Sequence, residues 1–140
     1  MKSVKVSDYM TRYPVLFTTE MTIEKAVEEL LRSQQRGGPV VNAQQRVVGF
    51  LSEQDCLAAM LRATYHQEQS ALVEDCMTTP VLTVRSDMSI LDLAEQMQVN
   101  KPKLYPVIDE NNRLTGLIGR SEVLRAMDLC LGDGYRRGGG

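Results

Sequence analysis

Apolar positions follow two different periods along the first half of the chain. The run PVLFT at 14–18 is short and β-prone, which predicts a strand. Apolar residues then keep helical spacing over 23–31, with Thr22 placed as an N-cap, which predicts a helix. The runs PVV and VVGFL, separated by the polar turn NAQQR, predict a β-hairpin, and a second helix is predicted from Gln54 to about Ala63. The predicted order is therefore β-α-β-β-α.

The second half of the chain repeats this pattern at an offset of 67 residues. VSDYMT at 6–11 returns as VEDCMT at 73–78, and the same offset pairs Pro39 with Pro106 and Gly49 with Gly116. The run PVLTV, a helix capped by Ser89, the hairpin around DENNR and a helix from Ser121 to about Leu131 complete the second copy. A repeat of this kind indicates two copies of one structural unit.

The repeat defines the predicted domain organisation. We expect repeat 1 at residues 1–66, a linker at 67–72, repeat 2 at 73–131 and a flexible tail at 132–140. A unit of about 60 residues has a marginal core by itself. We therefore expect an α+β fold in which the two copies pack sheet to sheet with pseudo-twofold symmetry and leave a cleft along the axis.

Composition and charge exclude several classes of function. The formal net charge of -2 provides no basic field for nucleic acid or an anionic membrane. No apolar run approaches a membrane span, and the N-terminus has no apolar core of a signal peptide. The three cysteines show no CxxC spacing, which favours buried thiols in a reducing cytoplasm, and a single histidine offers no metal cluster or catalytic triad. We expect a cytoplasmic protein with no enzymatic activity and no metal.

The ordered set of motifs resembles the CBS domain, and two copies resemble the CBS pair known as a Bateman module. The resemblance rests on DYMT and DCMT, on GGPVVN and LYPVID, and on GFLSEQD and GLIGRSE, and it covers about residues 4–130. It implies a regulatory module that binds an adenosine-containing ligand such as AMP, ADP, ATP or S-adenosylmethionine. It also implies a homodimer. Because the repeats fill nearly the whole chain, we expect the protein effector to be a separate, unknown molecule.

The stretch GFLSEQD supports two interpretations of Ser52 and Asp55. Their spacing is that of a capping box, in which a serine begins a helix and an acidic side chain lies in its first turn. In the CBS family the same element binds ribose and phosphate. The resemblance implies that this site also includes Val81 and Leu82 around an adenine, Lys103 near phosphate, and Leu104. By residue type alone, core positions are the stronger interpretation of Val81 and Leu82, and a solvated surface position is an equal alternative for Lys103.

The second copy departs from this pattern, because Gly119 and Glu122 stand at the equivalent positions. Glycine removes the hydroxyl group, and glutamate places its charge one methylene further out. The resemblance assigns five residues to this doubtful second site: Val15, Leu16, Arg36, Gly37 and Glu122. Arg36 could bind phosphate or pair with Glu122, and Gly37 could allow close approach of a ligand or belong to a loop. If both sites have decayed, the alternative function is a dimerising interaction module.

Overall fold

Both repeats adopt the predicted β-α-β-β-α order. The computed structural model describes residues 4–66, 71–97 and 101–138, with side chains described as far as residue 131. The first repeat contains β1 (Phe17–Thr18), α1 (Ile23–Ser33), β2 (Gly37–Val41), β3 (Val47–Ser52) and α2 (Glu53–His66). The second contains α3 (Val73–Cys76), β4 (Val84–Arg85), α4 (Ile90–Gln96), β5 (Leu104–Ile108), β6 (Leu114–Gly119) and α5 (Arg120–Gly138).

Each repeat builds a mixed three-stranded sheet. The strand orders are β1-β2-β3 and β4-β5-β6. The first pair of strands is parallel in both sheets, and its register is the same in each, because Phe17 lies opposite Val40 and Val84 lies opposite Val107. The sequence offset is therefore also a structural offset. The predicted α+β class with two repeats is confirmed.

Four predicted element boundaries are wrong: the starts of β1 and β4 and the ends of α2 and α5. Strands β1 and β4 are two residues long and begin late in the predicted runs, at Phe17 and Val84, and in the first repeat the Val15 N–H donates to the Gln35 side chain (3.2 Å) rather than to a strand. Helix α2 continues to His66 because no glycine or proline interrupts it. Helix α5 continues to Gly138 instead of ending near Leu131; its glycines lower helix propensity but do not forbid helical dihedral angles.

The two compact units of the structure do not coincide with the two sequence repeats. Each unit contains the first residues of the other repeat. One unit contains the described residues of 1–13, 82–111 and 115–140, and the other those of 14–81 and 112–114. In the first, the Val6 N–H donates to the Met88 carbonyl (2.8 Å). In the second, the Val73 N–H donates to the Met21 carbonyl (2.8 Å). The short helical turns that open each copy, Val6–Asp8 and α3, were not predicted from the sequence.

Each unit has its own apolar core, and the large aromatic residue of the core lies on a different strand in each unit. In β1, Phe17 is buried, and a Cβ on Gly38 of β2 would lie 3.2 Å from its ring. In the other unit the equivalent positions carry Val84 and Tyr105, which are both buried in one cluster. Each core therefore keeps one large and one small residue at these two positions, so that the packed volume is conserved.

Candidate functional site

Ser52 and Asp55 form a reciprocal capping box at the junction of β3 and α2. The Ser52 hydroxyl accepts the Asp55 N–H (3.1 Å), and Asp55 Oδ2 accepts the Ser52 N–H (3.0 Å). Each bond satisfies a backbone donor that the start of a helix leaves without an intrahelical partner. The capping interpretation of this stretch is confirmed. The ligand interpretation is compatible with it, since both side chains are only half-buried.

A third polar side chain, Thr78, completes this cluster and was not predicted from the sequence. Its hydroxyl lies 3.3 Å from Asp55 Oδ1 and 3.2 Å from Oδ2. Its backbone pairs with β3, because the Phe50 N–H donates to the Thr78 carbonyl (3.1 Å) and the Thr78 N–H donates to the Phe50 carbonyl (2.8 Å). The only signal in the sequence was the repeated Met-Thr dipeptide, and nothing in it predicts a pairing with β3.

The cluster can bind a donor-rich group but does not by itself favour an anion. An ionised aspartate is an acceptor with about four lone-pair positions, so Asp55 can accept further hydroxyl donors. Glu53 and Asp55 both place negative charge in the first turn of α2. A phosphate bound nearby would therefore need a cation from elsewhere. Among the described residues, no group of three or more His, Cys, Asp or Glu side chains could hold a metal ion.

The thiols beside this cluster are poor nucleophiles. Burial raises the pKa of Cys56 to about 11, with the negative charge of Asp55 adding to the effect. Burial also raises the pKa of Cys76, although Arg62, whose Nη2 lies 3.8 Å from Cys76 Sγ, acts in the opposite direction. Both thiols are therefore protonated at neutral pH, in agreement with their interpretation as packed, unreactive cysteines.

The equivalent junction of β6 and α5 retains half of the capping arrangement. The Gly119 N–H donates to Glu122 Oε1 (2.7 Å), but glycine offers no hydroxyl in return. The backbone around the two junctions is the same, since the Arg36 carbonyl accepts the Glu53 N–H (2.9 Å) and the Lys103 carbonyl accepts the Arg120 N–H (3.0 Å). The two copies therefore differ in side chains rather than in local fold.

The loss of serine in the second copy is coupled to a change on the neighbouring strand. In the first copy Ser52 lies opposite Gly37. In the second, a Cβ at Gly119 would lie 2.8 Å from Cδ1 of Leu104, the residue equivalent to Gly37. Leu104 therefore occupies space that a side chain at residue 119 would need. The two positions therefore differ together between the copies, with glycine and serine in the first and leucine and glycine in the second.

Gly37 lies in a strand, which corrects its interpretation as a loop residue. A Cβ there would lie 2.8 Å from both the Leu51 carbonyl oxygen and the Phe50 ring. Packing against the protein's own backbone is sufficient to explain this glycine. Its predicted contact with a ligand stays a prediction.

The remaining predicted site residues differ in exposure. Arg36 and Lys103 have exposed side chains, and Val15, Val81 and Leu104 are half-buried. Leu82 is 52% exposed and Leu16 is 38% exposed. The alternative that Leu82 is an ordinary core residue is therefore wrong.

Comparison with known proteins identifies the family. The sequence matches the CBS domain over residues 6–62 and again over 73–129. The chain belongs to the CBS-domain family. The two CBS domains coincide with the two copies found in the sequence, and the predicted tandem pair is confirmed.

Several solved CBS structures resemble this chain over most of its length. CBSX2 from Arabidopsis thaliana is 27% identical, with a TM-score of 0.78, and the match covers 90% of this chain and 95% of that one. A structure of CBSX2 in complex with AMP matches with a TM-score of 0.75 at 27% identity, covering 88% of this chain and 95% of that one. A putative acetoin utilization protein, AcuB, from Vibrio cholerae is 28% identical, with a TM-score of 0.78, and the match covers 92% and 94% of the two chains.

Curated relatives of this CBS pair differ widely in length. An uncharacterized 17.7 kDa protein of Acidianus ambivalens is 27% identical over 125 residues, which is 89% of this chain and 74% of that protein. The inosine-5'-monophosphate dehydrogenase of Methanocaldococcus jannaschii is 23% identical over 121 residues, but the match spans only 23% of the enzyme's length. The family thus includes chains in which the pair forms a small part of an enzyme. Within the described ranges of this chain, no helix has the length and hydropathy required to cross a membrane.

Proposed function

We propose that this CBS pair is a non-catalytic regulatory module that binds an adenosine-containing ligand at the Ser52–Asp55 element. The ligand is AMP, ADP, ATP or S-adenosylmethionine, and its binding is read by a separate protein partner. The observation that carries the proposal is the half-buried Asp55 carboxylate, held at the start of α2 with acceptor capacity remaining. Adjacent ribose hydroxyls are donors that such a carboxylate binds well.

The resemblance to CBSX2 supports the class of ligand. A structure of that protein has been solved in complex with AMP, and the match covers 88% of the chain described here. We assign Val81 and Leu82 to the adenine and Lys103 to the phosphate. Leu104 is the remaining residue of the proposed site. These four assignments remain predictions. The exposure of Leu82 supports its assignment to the adenine, because an exposed leucine offers apolar surface to a base.

We expect one competent site in each chain. The Gly119 and Glu122 junction lacks the serine hydroxyl, and its acid is one methylene longer than Asp55. The predicted second site, comprising Val15, Leu16, Arg36, Gly37 and Glu122, is therefore weaker or empty in this proposal. A ligand at the first site can switch the module only if it binds one conformation more tightly than another.

The alternative function is a dimerising interaction module without a ligand. It is favoured by the exposed apolar residues of two helices. On α2, Leu57 is 61% exposed, and on α5, Leu124 is 68% exposed. Apolar faces of this kind suit contact with a second copy, and the regulatory proposal uses the same homodimer. Light scattering of Leu57→Lys should therefore show loss of the dimer in either case, so ligand binding must discriminate the two functions.

Calorimetric titration with the four ligands tests the proposal. We expect micromolar binding of one ligand at one site per chain, weakened about 10- to 100-fold in Asp55→Asn, the range expected when bonds to a charged acceptor are lost. Asp75→Asn is the matched control. Its carboxylate also caps a helix start, by accepting the Leu72 N–H (3.3 Å), and it should leave affinity unchanged.

Two outcomes would contradict the proposal in different ways. Binding that survives Asp55→Asn but is lost in Glu122→Gln would move the site to the second copy. An absence of heat with all four ligands, in protein shown to be folded and free of bound nucleotide, would favour the interaction module.

A further inference from the structure

We propose that Thr78 is a positioning residue that fixes the orientation of the Asp55 carboxylate and thereby sets its preference for ribose over deoxyribose. This inference rests on the proposed function and extends it to a residue outside the Ser-x-x-Asp motif. It is carried by the hydrogen bonds that join Thr78, Asp55 and Ser52.

The orientation of an aspartate carboxylate needs external support. The terminal torsion of an aspartate side chain is broad, so a free carboxylate samples many orientations. At Asp55 two donors restrict it: the Ser52 N–H on Oδ2 (3.0 Å) and the Thr78 hydroxyl, which lies within 3.3 Å of both oxygens. Removing either donor leaves rotation about the terminal bond less restricted.

Thr78 is itself anchored, so its hydroxyl is a fixed reference for the carboxylate. Both backbone hydrogen bonds to Phe50 tie it to β3, the strand that ends at Ser52. Threonine is also stiff about its first side-chain torsion because it is branched at Cβ. The hydroxyl therefore loses little freedom when it bonds to Asp55.

A fixed carboxylate is suited to a pair of neighbouring hydroxyl groups. With the Thr78 hydroxyl shared between them, the two oxygens keep acceptor positions in a single orientation. Two hydroxyls on adjacent ring carbons can then be bound together, without the entropic cost of ordering the carboxylate. A sugar with one hydroxyl gains less from this orientation.

The other unit provides an internal comparison, because it keeps the backbone part of this arrangement and loses the side-chain part. Thr11 is the equivalent of Thr78, and it exchanges backbone hydrogen bonds with Leu117 at 2.7 and 2.9 Å. Among the described residues, however, no hydrogen bond joins Thr11 to Glu122, whose carboxylate turns back to the Gly119 N–H. The threonine position alone therefore does not create the interaction with the acid.

The test compares Thr78→Val with Thr78→Ser. Valine keeps the branched shape and the backbone N–H but removes the hydroxyl, whereas serine keeps the hydroxyl. Each protein is titrated with the tightest binder among AMP, ADP and ATP and with the 2′-deoxy form of that nucleotide. We expect the wild type to prefer the ribonucleotide by about 10-fold, Thr78→Val to reduce this preference at least about 3-fold, and Thr78→Ser to retain it.

A combined variant separates positioning from a structural effect. If Thr78 acts through Asp55, adding Thr78→Val to Asp55→Asn should change the preference no further. An unchanged preference in folded Thr78→Val, checked by thermal denaturation, would overturn the role of Thr78 and leave the proposed function intact. A wild type that binds neither the three nucleotides nor S-adenosylmethionine would overturn the proposed function and this inference together.

Discussion

Restoring the missing serine of the second copy should destabilise the protein unless Leu104 is shortened at the same time. A Cβ at residue 119 would lie 2.8 Å from Leu104 Cδ1, whereas ordinary van der Waals contacts begin at 3.4 Å. The leucine methyl must therefore move by several tenths of an ångström. Because it is the flexible end of a half-buried side chain, we expect Gly119→Ser to cost about 1 kcal/mol, at the low end of the range for overpacking.

A double-mutant cycle in urea measures this coupling. Leu104→Ala alone should cost about 1–2 kcal/mol, less than a fully buried leucine, because the side chain is only half-buried. In that background, Gly119→Ser should cost no more than a few tenths of a kcal/mol, since its hydroxyl can then cap α5 while Glu122 Oε1 (3.2 Å) and the Lys103 carbonyl oxygen (3.3 Å) remain close to the new Cβ. The expected interaction energy is therefore about 1 kcal/mol in favour of the double variant.

Additive costs would refute this explanation of the paired change. If Gly119→Ser costs as much in the Leu104→Ala background as in the wild type, the leucine is not the obstacle. If Gly119→Ser costs nothing in either background, the clash is relieved without loss, and the two positions are independent.

Two further predictions concern buried groups. The Tyr105 hydroxyl is buried and has no hydrogen-bond partner among the described residues, so Tyr105→Phe should raise the free energy of unfolding by about 1 kcal/mol; a decrease would show that the hydroxyl is satisfied in solution. The pKa of Cys56 is raised from 9.0 to about 11, so the unfolded chain loses this proton first as the pH rises. The free energy of unfolding should fall between pH 9 and pH 11 by up to roughly 2 kcal/mol more in the wild type than in Cys56→Ala. An equal dependence of the free energy of unfolding on pH in the two proteins would contradict the raised pKa of Cys56.

Internal repetition made the fold predictable from the sequence. The pairs at the constant offset recur in the structure as equal registers, Phe17 with Val40 and Val84 with Val107. The caps Thr22 and Ser89 were also predicted correctly, because each side chain accepts a backbone N–H at the start of its helix. The exchange of first residues between the repeats was not predictable, because hydrogen bonds such as Val6 to Met88 join residues that are far apart in the chain and carry no local pattern.

Only part of the candidate site could be predicted from the sequence. The Ser-x-x-Asp spacing locates Ser52 and Asp55, since a capping box is a local motif. Thr78 was not predicted as a site residue, because its contact with Asp55 spans 23 residues and depends on backbone pairing with β3. For Gly37 the loop alternative is wrong: glycine favours turns in general, whereas here close packing against Leu51 and Phe50 within a strand explains it.

Amide chemical shifts during titration with AMP, ADP, ATP or S-adenosylmethionine show directly whether an adenosine-containing ligand binds at the start of α2. We expect one of these ligands to shift the amides of Ser52, Asp55 and Thr78, which belong to one cluster. The amides of Gly119 and Glu122 should move much less. Shifts centred on Gly119 and Glu122, or none with any of the four ligands, would contradict the proposed site.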